Sequence, residues 1–326
     1  MHPEAIGPAL TRGRIVHLFL SNGVRESRFS KEAATALEEW LFDEVVFIGL
    51  HDEGLSVREE TAPGVRMERI PLWSRKLRGG VGGHLCKYAE WFLRALERIF
   101  REKPRWIHCH SLPALPVGIA AKKLFGVKVL YDAHELETEM AAFSGWKRTW
   151  AQALERCLIA RADAFFVVCE AIADWYARTY EIPRPSVVRN IPRHSPGVRE
   201  ETFDLRGRLA LPSDSTVFLF LGGMGPHRGI EKILNSFEIV QGAQHAVFVG
   251  DGPLAEQVRN CAETCPRVHY LPSVRPDEVL SVARGADVGL CLFENNTLNN
   301  LYSLPNKIFE YLLARIPLLI ADLPEQ

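Results

Sequence analysis

A glycine-rich turn at Leu219–Arg228 (LFLGGMGPHR) has the residue types that bind a diphosphate. An apolar run leads into Gly222 and Gly223, and Arg228 follows where we expect a helix to begin. Glycines let the backbone approach an anion closely, a helix start supplies free N–H groups, and an arginine supplies a fixed positive charge. Gly252 lies in a second strand-to-helix turn, which we expect beside the first. Neither turn has the G-x-G-x-x-G spacing of a dinucleotide-dependent dehydrogenase.

The stretch Leu298–Asp322 is the second candidate for chemistry. It predicts a loop, a helix that begins near Pro305 and a buried strand at 318–321. Polar side chains gather at the helix start: Asn299, Asn300, Tyr302, Ser303, Asn306 and Lys307. A helix N-terminus suits an anionic ligand. Glu310 stands among apolar neighbours and is either a functional carboxylate or a solvated helix residue; the stretch alone leaves both open.

Two histidine patterns stand at the ends of expected strands. His108 and His110 are two residues apart on one strand and therefore share a face, which is half of a metal site. No matching cluster of carboxylates or cysteines is apparent, so we assign no metal and interpret His110 as a single histidine at a strand end. His134, in the segment YDAHE, can donate a hydrogen bond to a ligand or shuttle a proton, or it forms an Asp–His pair in a surface turn.

Two further polar segments have weaker patterns. Gly23 follows the first expected strand, where the backbone either approaches a phosphate or forms a plain turn. Of the arginines just after it, Arg25 or Arg28 is a candidate to face a ligand. The basic segment Arg66–Lys87 would bind an anionic acceptor or an acidic membrane surface, or it is a solvated loop.

Short apolar runs and amphipathic stretches alternate along the chain and would position these residues. In the first half, expected strands lie at 15–20, 45–50, 65–70 (an edge strand), 106–110, 128–132 and 164–168, and the first helix at 31–41. A polar, proline-punctuated segment at 191–203 predicts a linker. In the second half, strands are expected at 216–221, 246–250, 268–271, 286–293 and 318–321, with a helix at 229–239 after the glycine-rich turn.

Near-continuous apolar strands separated by helices are typical of parallel sheets covered on both faces. The sequence therefore predicts an α/β protein with two facing Rossmann-like, doubly wound domains, 1–195 and 196–326. Ligands of such sheets bind at the carboxyl ends of the strands, where the candidate residues cluster.

Composition narrows the class of protein. A length of 326 residues favours two domains, and a net charge of −1 gives no overall attraction to nucleic acid. No apolar run approaches the roughly 20 residues that span a bilayer. The first twelve residues lack a signal-peptide core, so we expect a cytoplasmic protein with reduced cysteines.

The order of motifs resembles that of the GT-B glycosyltransferases of family 4. The segments that carry the resemblance are RESRFSKEAATALEE, WIHCHSLPAL, KVLYDAHELETE, FVVCEAIADWY, LGGMGPHRGIEKIL, VFVGDGPL and SLPNKIFEYLLARIPLLIADLPE. They extend from about residue 14 to the end of the chain and follow one another in the family's order.

The resemblance implies a retaining, metal-independent hexosyltransferase without a cofactor beyond its nucleotide-sugar donor. The acceptor would be a glycan, a lipid-linked molecule or a small molecule, in cell-surface polysaccharide or glycoconjugate synthesis. The implied catalytic residues are His134 beside the transferred sugar, Arg228 at the donor diphosphate and Glu310 at the ribose. The implied donor-binding set adds Gly23, Gly222, Gly223, Gly252, Ser303, Leu304, Asn306 and Lys307. The acceptor-side set is Arg28, His110 and His134, and Arg66–Lys87 would provide peripheral contact with the inner membrane face.

The sequence also departs from the family pattern. Tyr302 stands where the first glutamate of E-x7-E is expected, and Met224 stands where a basic residue is expected. The usual last strand and helices are missing, which predicts an incomplete second domain. Two alternatives stay open because fold alone does not fix function: a sugar-nucleotide epimerase on the same fold, and a non-enzymatic sugar or nucleotide binder, which these departures favour.

Overall fold

The computed structural model describes residues 13–24, 27–77, 80–140, 144–192 and 202–326. These residues divide into two compact units. Described residues between 13 and 138, 144–168 and 173–188 form the first unit. The second unit contains 202–326 together with the short segments 139–140, 169–172 and 189–192. Most of the expected linker at 191–203 lies outside the described residues.

The first unit is built on one sheet, whose strands within the described residues are β1 (Arg14–Leu18), β2 (Glu44–Leu50), β3 (Arg58–Ala62), β4 (Val65–Ile70), β5 (Trp106–His110), β6 (Lys128–Ala133), β7 (Ala164–Val167) and β8 (Ser186–Val187). Their order is β3-β4-β2-β1-β5-β6-β7-β8, and all neighbours are parallel except β3 and β4. The order reverses between β1 and β5, which makes their carboxyl ends the expected ligand position of this sheet.

The helices that accompany this sheet are α1 (Ser27–Glu38), α2 (Val81–Glu102), α3 (Leu115–Phe125), α4 (Trp146–Ile159) and α5 (Glu170–Tyr180). In α1, Phe29, Ala33 and Ala36 are buried and lie four and three residues apart, on one helical face. The predicted start of this helix at Lys31 was wrong because that apolar stripe already begins at Phe29. The helix also ends earlier than predicted, and Trp40 just after it has a left-handed φ of 54°.

One strand assignment in the first unit was wrong. Val65–Ile70 is not an edge strand, because β3 pairs with it on its outer side. The sequence of β3, REETA, is exposed throughout and has none of the apolar alternation that predicts a strand. An exposed edge strand with charged side chains also discourages pairing with other chains.

The second unit contains a smaller, fully parallel sheet. Its strands are β9 (Thr216–Leu221), β10 (Gln244–Val249), β11 (Val268–Leu271), β12 (Val288–Cys291) and β13 (Leu318–Ile320), in the order β11-β10-β9-β12-β13. Helices described in this unit are α6 (Leu205–Arg208), α7 (Ile230–Ile239), α8 (Ala255–Thr264), α9 (Val279–Arg284), α10 (Leu298–Leu301) and α11 (Asn306–Ala314). Here the order reverses between β9 and β12, as in a dinucleotide-binding sheet.

A buried tyrosine fixes α11 against these two central strands. The Tyr311 hydroxyl donates to the Leu219 carbonyl (2.9 Å) and accepts from the Leu221 N–H (2.9 Å). It also lies 3.4 Å from the Leu290 carbonyl of β12. Gly289 makes room for the ring, since a Cβ there would stand 2.4 Å from it. Tyr311 thereby fixes α11 at the reversal point of the sheet.

The described helices include none that is both long enough and apolar enough to cross a membrane.

Candidate functional site

Two glycine turns in the second unit pack backbone against backbone at the ends of β9 and β10. Gly250 has a φ of +155°, and a Cβ there would lie 2.0 Å from the Gly222 carbonyl oxygen. Gly252 has a φ of +143°, and its Cβ would lie 2.7 Å from the Met224 carbonyl oxygen. A side chain at either position would force the turns apart. The two turns thus form one rigid backbone surface, with Gly222 and Gly223 exposed on it.

Met224 is buried within the apolar core of this unit, among Phe220, Ile230 and Phe248. Its backbone N–H donates to the Asp251 carbonyl (2.7 Å), and its own carbonyl accepts from the Leu254 N–H (2.9 Å). The position where the family pattern expects a basic residue therefore stabilises the paired turns and presents no charge.

Arg228 lies on the turn rather than on the helix that follows. The helix α7 begins at Ile230, and Gly229 caps it with a left-handed φ of 78°. A Cβ at Gly229 would lie 2.3 Å from the Leu292 carbonyl oxygen, so only glycine fits at this position. The Arg228 guanidinium donates to the Gly223 carbonyl (3.3 Å) and lies 5.5 Å from the centre of the Phe293 ring.

Lys307, in the first turn of α11, is a buried cation beside this surface. Its ammonium lies 3.6 Å from the centre of the Phe220 ring and 6.0 Å from that of Phe293. Within the described residues its Nζ has no hydrogen-bond partner. Burial, assisted by the charge of Arg228 and opposed by Cys291 and Glu310, lowers its pKa to about 8. A buried, unpaired ammonium is costly, and an anion would relieve that cost.

Four further predicted donor residues, Ser303, Leu304, Asn306 and Glu310, lie along the segment that contains Lys307. The Ser303 hydroxyl donates to the Asn300 carbonyl (2.8 Å), and Leu304 and Tyr302 are half-buried beside it. Asn306 is the exposed first residue of α11. Glu310 is half-buried one turn after Lys307 and interacts with it electrostatically.

The structure thus brings together a glycine surface, a helix N-terminus, Arg228 and Lys307 in one unit. Backbone N–H groups and two cations are the groups that bind a diphosphate, and a carboxylate further along α11 suits a ribose hydroxyl. Gly23, the other predicted donor residue, belongs to the first unit, where it follows β1 with a φ of 74°.

Asp132 is the centre of the polar cluster in the first unit. It accepts from the Arg28 guanidinium at 2.8 Å, and His134 Nε2 lies 3.2 Å from the same carboxylate oxygen. Burial by itself would raise the pKa of Asp132, but the nearby imidazoles of His108 and His134 and the Arg28 charge hold it well below its usual range. Arg28 is buried in this ion pair, so it orients Asp132 and, through it, His134, which is partly exposed.

His110 is not the single histidine that we predicted. Its Nε2 lies 2.9 Å from His17 Nδ1, and its ring stacks on that of His108 with a centroid distance of 4.0 Å. Glu32, on α1, faces this group of imidazoles. Burial, followed by the neighbouring imidazole charges, holds the pKa of His110 well below its ordinary value.

Sequence reasoning missed His17 and Glu32 because they lie far along the chain from His108. One signal was available: β1 and β5 are neighbours at the reversal of the strand order, and their register pairs His17 with His108. A histidine in the first expected strand could therefore have been placed beside the His-x-His pair.

Much of the charge of the basic segment Arg66–Lys87 is neutralised within the first unit. Arg66 pairs with Glu44 (2.5 Å) and Glu102 (2.7 Å), and buried Arg69 pairs with Glu59 (2.6 Å). Arg78 lies outside the described residues. The segment is thus partly a structural ion-pair network.

The family described as "Glycosyl transferase 4-like domain" matches residues 22–192, just over half of the chain. No curated protein sequence shows a significant match.

Solved structures are similar over nearly the whole of this chain. Sucrose-phosphate synthase from Thermosynechococcus elongatus is similar with a TM-score of 0.75 at 15% identity, over 96% of this chain and 82% of that chain. Anabaena HepE in complex with UDP-glucose gives 0.69 at 14% identity, again over 96% and 82%. WaaG, a glycosyltransferase involved in lipopolysaccharide biosynthesis, gives 0.63 at 13% identity, over 94% and 80%. The fold is therefore GT-B, as predicted.

Proposed function

The chain belongs to the glycosyl transferase 4-like family and is a glycosyltransferase, and we propose that its donor is a nucleoside-diphosphate sugar held by the second unit. The observation that carries this proposal is the buried Lys307 ammonium without a hydrogen-bond partner among the described residues. The Lys307 ammonium and the Arg228 guanidinium lie 6.0 Å and 5.5 Å from the centre of the same Phe293 ring. Two cations match the two negative charges of a diphosphate ester. The UDP-glucose bound by HepE is a donor of this kind.

Each part of the site has a role in binding the donor. The exposed turn at Gly222 and Gly223 would let the backbone approach the diphosphate closely, and Lys307 and Arg228 would balance its negative charge. Glu310 would accept hydrogen bonds from ribose hydroxyls. Tyr302 supplies a phenol where a carboxylate is usual in the family, so sugar recognition there would rest on a neutral hydrogen-bonding group.

The proposed reaction retains the configuration at the sugar's anomeric carbon. The bond from that carbon to the diphosphate oxygen breaks, and a bond from the acceptor hydroxyl oxygen forms on the same face. The acceptor proton passes to the departing diphosphate. Lys307 and Arg228 stabilise the charge that develops on this leaving group, so the transfer step itself needs no metal.

The first unit would bind the acceptor through His134. Asp132 accepts from this imidazole, and Arg28 fixes Asp132, so the ring is held in one orientation. An oriented imidazole can accept a hydrogen bond from a sugar hydroxyl or donate one to it. The acceptor would be a glycan or lipid-linked molecule of cell-surface polysaccharide or glycoconjugate synthesis, which agrees with the role named for WaaG.

Binding of nucleotides tests this assignment directly. UDP, GDP, ADP and TDP are titrated into the protein, and the melting temperature identifies the preferred base, because a ligand that binds only the native state stabilises it. Arg228→Ala and Glu310→Ala should each weaken binding of that nucleotide by about tenfold or more. Lys232→Ala, at an exposed lysine paired with Glu294, is the matched control and should not change it.

If neither variant weakens binding of any nucleoside diphosphate, the second unit is not the donor site as we describe it.

A further inference from the structure

Four potential metal ligands converge in the first unit from three different elements. His17 lies on β1, Glu32 on α1, and His108 and His110 on β5. One ligand atom from each lies within 4.8 Å of the others. The three imidazoles are almost fully buried, whereas the Glu32 side chain is 23% exposed. The cluster is therefore enclosed on the sheet side and reachable on the side of α1.

Three of the four ligand atoms are spaced like ligands around a small tetrahedral ion. His17 Nδ1 lies 2.9 Å from His110 Nε2, and Glu32 Oε2 lies 3.4 Å from each of these nitrogens. Metal–ligand bonds of about 2.0–2.1 Å place tetrahedral ligands about 3.3 Å apart. His108 Nδ1 lies 3.9 Å from Glu32 Oε2 and would complete the set after a small shift.

The hydrogen bonding of Glu32 agrees with these distances. Glu32 Oε2, the oxygen that faces the imidazoles, is buried and makes no well-formed hydrogen bond among the described residues, although two imidazole nitrogens lie 3.4 Å away. A buried carboxylate oxygen without a well-formed hydrogen bond costs free energy, and a bound cation would supply the missing interaction.

A second layer of groups is arranged to hold the ligands. His108 Nε2, the nitrogen away from the cluster, lies 3.4 Å from Asp132 Oδ2. His110 Nδ1 lies 3.1 Å from His134 Nε2 and 3.9 Å from the same Asp132 oxygen. Metal-bound histidines commonly place their other ring nitrogen beside a carboxylate, which fixes the ring and its tautomer.

We propose that His17, Glu32, His108 and His110 bind a zinc ion that ties α1 to the two central strands of the first unit. Three imidazoles and one carboxylate suit zinc, whereas magnesium and calcium prefer oxygen ligands. The ion has a structural role and takes no part in the leaving-group chemistry proposed for the second unit. With His110 as a ligand, His134 is the imidazole of this cluster that remains for the acceptor.

Metal binding is measured on the full chain after removal of metals with a chelator. Zinc is titrated against a chromophoric chelator, and Co²⁺ replaces zinc as a spectroscopic probe because tetrahedral Co²⁺ absorbs strongly in the visible range. We expect one zinc per chain and a tetrahedral Co²⁺ spectrum. His17→Asn and Glu32→Gln should each weaken zinc binding by about 100-fold, since even second-layer changes cost about 10–100-fold.

The matched control is His245→Asn in the second unit. His245 Nδ1 lies 3.0 Å from His269 Nε2, so this is an imidazole pair of similar geometry, and no group of potential metal ligands found among the described residues includes it. The zinc affinity of the His245→Asn variant should equal that of the wild type. Glu32→Gln, at the partly exposed position, decides the outcome if His17→Asn does not fold.

Three results would overturn the proposal: no zinc binding by the wild type, equal binding by Glu32→Gln, or a thiolate charge-transfer band with Co²⁺. The last would assign the metal to cysteines. None of these results bears on nucleotide binding, which is measured separately.

Discussion

Replacing Lys307 by methionine should stabilise the protein and at the same time impair its proposed function. Burial lowers the pKa of this lysine from 10.5 to about 8. At about 1.36 kcal/mol per pKa unit, holding the charged form in the folded protein costs about 3 kcal/mol. Methionine keeps an unbranched side chain against Phe220 but loses the cation–π interaction, worth about 0.5–2 kcal/mol. The free energy of unfolding at pH 7 should therefore rise by about 1–3 kcal/mol.

The pH dependence follows from the direction of the shift. Because the pKa is lower in the folded than in the unfolded chain, the cost is complete below pH 8 and is relieved as the pH rises from about 8 to 10.5. The advantage of Lys307→Met should shrink over the same range. Denaturant unfolding at pH 7 and pH 10, without nucleotide, measures both values.

The nucleoside diphosphate should offset most of this advantage of the variant. An ammonium–phosphate interaction contributes about 1.5–3 kcal/mol, so Lys307→Met should bind the preferred nucleotide about 10–100-fold more weakly. At saturating nucleotide the wild type should therefore gain about 1.5–3 kcal/mol more stability than the variant. Isothermal titration and melting curves with and without nucleotide give the two quantities.

Lys232→Met is the matched control, because Lys232 is 67% exposed. It should change neither stability nor nucleotide affinity appreciably. A Lys307→Met protein that is less stable than the wild type without ligand would show that the lysine has a structural partner. Unchanged nucleotide affinity would remove Lys307 from the donor site.

Three further changes test the framework around the sites. Tyr311→Phe removes the hydroxyl that bonds to β9, and urea unfolding should show a loss of about 1–3 kcal/mol, whereas an unchanged value would mean that the hydroxyl contributes nothing. Burial raises the pKa of Glu137 to about 7, so its contribution to stability is complete below about pH 4.5 and is lost as the pH rises through 7. Glu137→Gln keeps the acceptor for the Leu112 N–H (2.7 Å) and should be more stable than the wild type by up to about 3 kcal/mol at pH 8 and equal to it near pH 4. Equal unfolding curves at pH 8 would contradict this expectation. Gly250→Ala would place a Cβ 2.0 Å from the Gly222 carbonyl oxygen, so calorimetry should show that the free energy of unfolding falls by about 1–3 kcal/mol, together with weaker nucleotide binding. A wild-type melting temperature would refute the close packing of the turns.

The sequence alone identified the fold and the family. Apolar strands separated by amphipathic helices leave few arrangements other than parallel sheets, because every such strand must be covered on both faces. Glycines and prolines placed the starts of α7 and α11 to within one residue of the observed helices. The sequence did not predict the strand β3, because this strand is too exposed to have an apolar pattern.

The individual candidate residues of the second unit could also be read from the sequence, because they follow strand ends locally. The sequence could not show how these residues are buried and packed. Lys307 looked like one polar residue among six at a helix start, and only packing against Phe220 makes it a buried cation. Met224 looked like a missing charge, and only the core shows that it supports the paired turns.

The histidine cluster of the first unit depends wholly on tertiary structure. His17, Glu32 and His108 come from separate elements, and no local spacing connects them. Strand order brings β1 beside β5, register aligns His17 with His108, and the apolar stripe of α1 turns Glu32 toward them. Local sequence determines periodicity and turns, whereas the meeting of distant side chains depends on which strands pair and in which register.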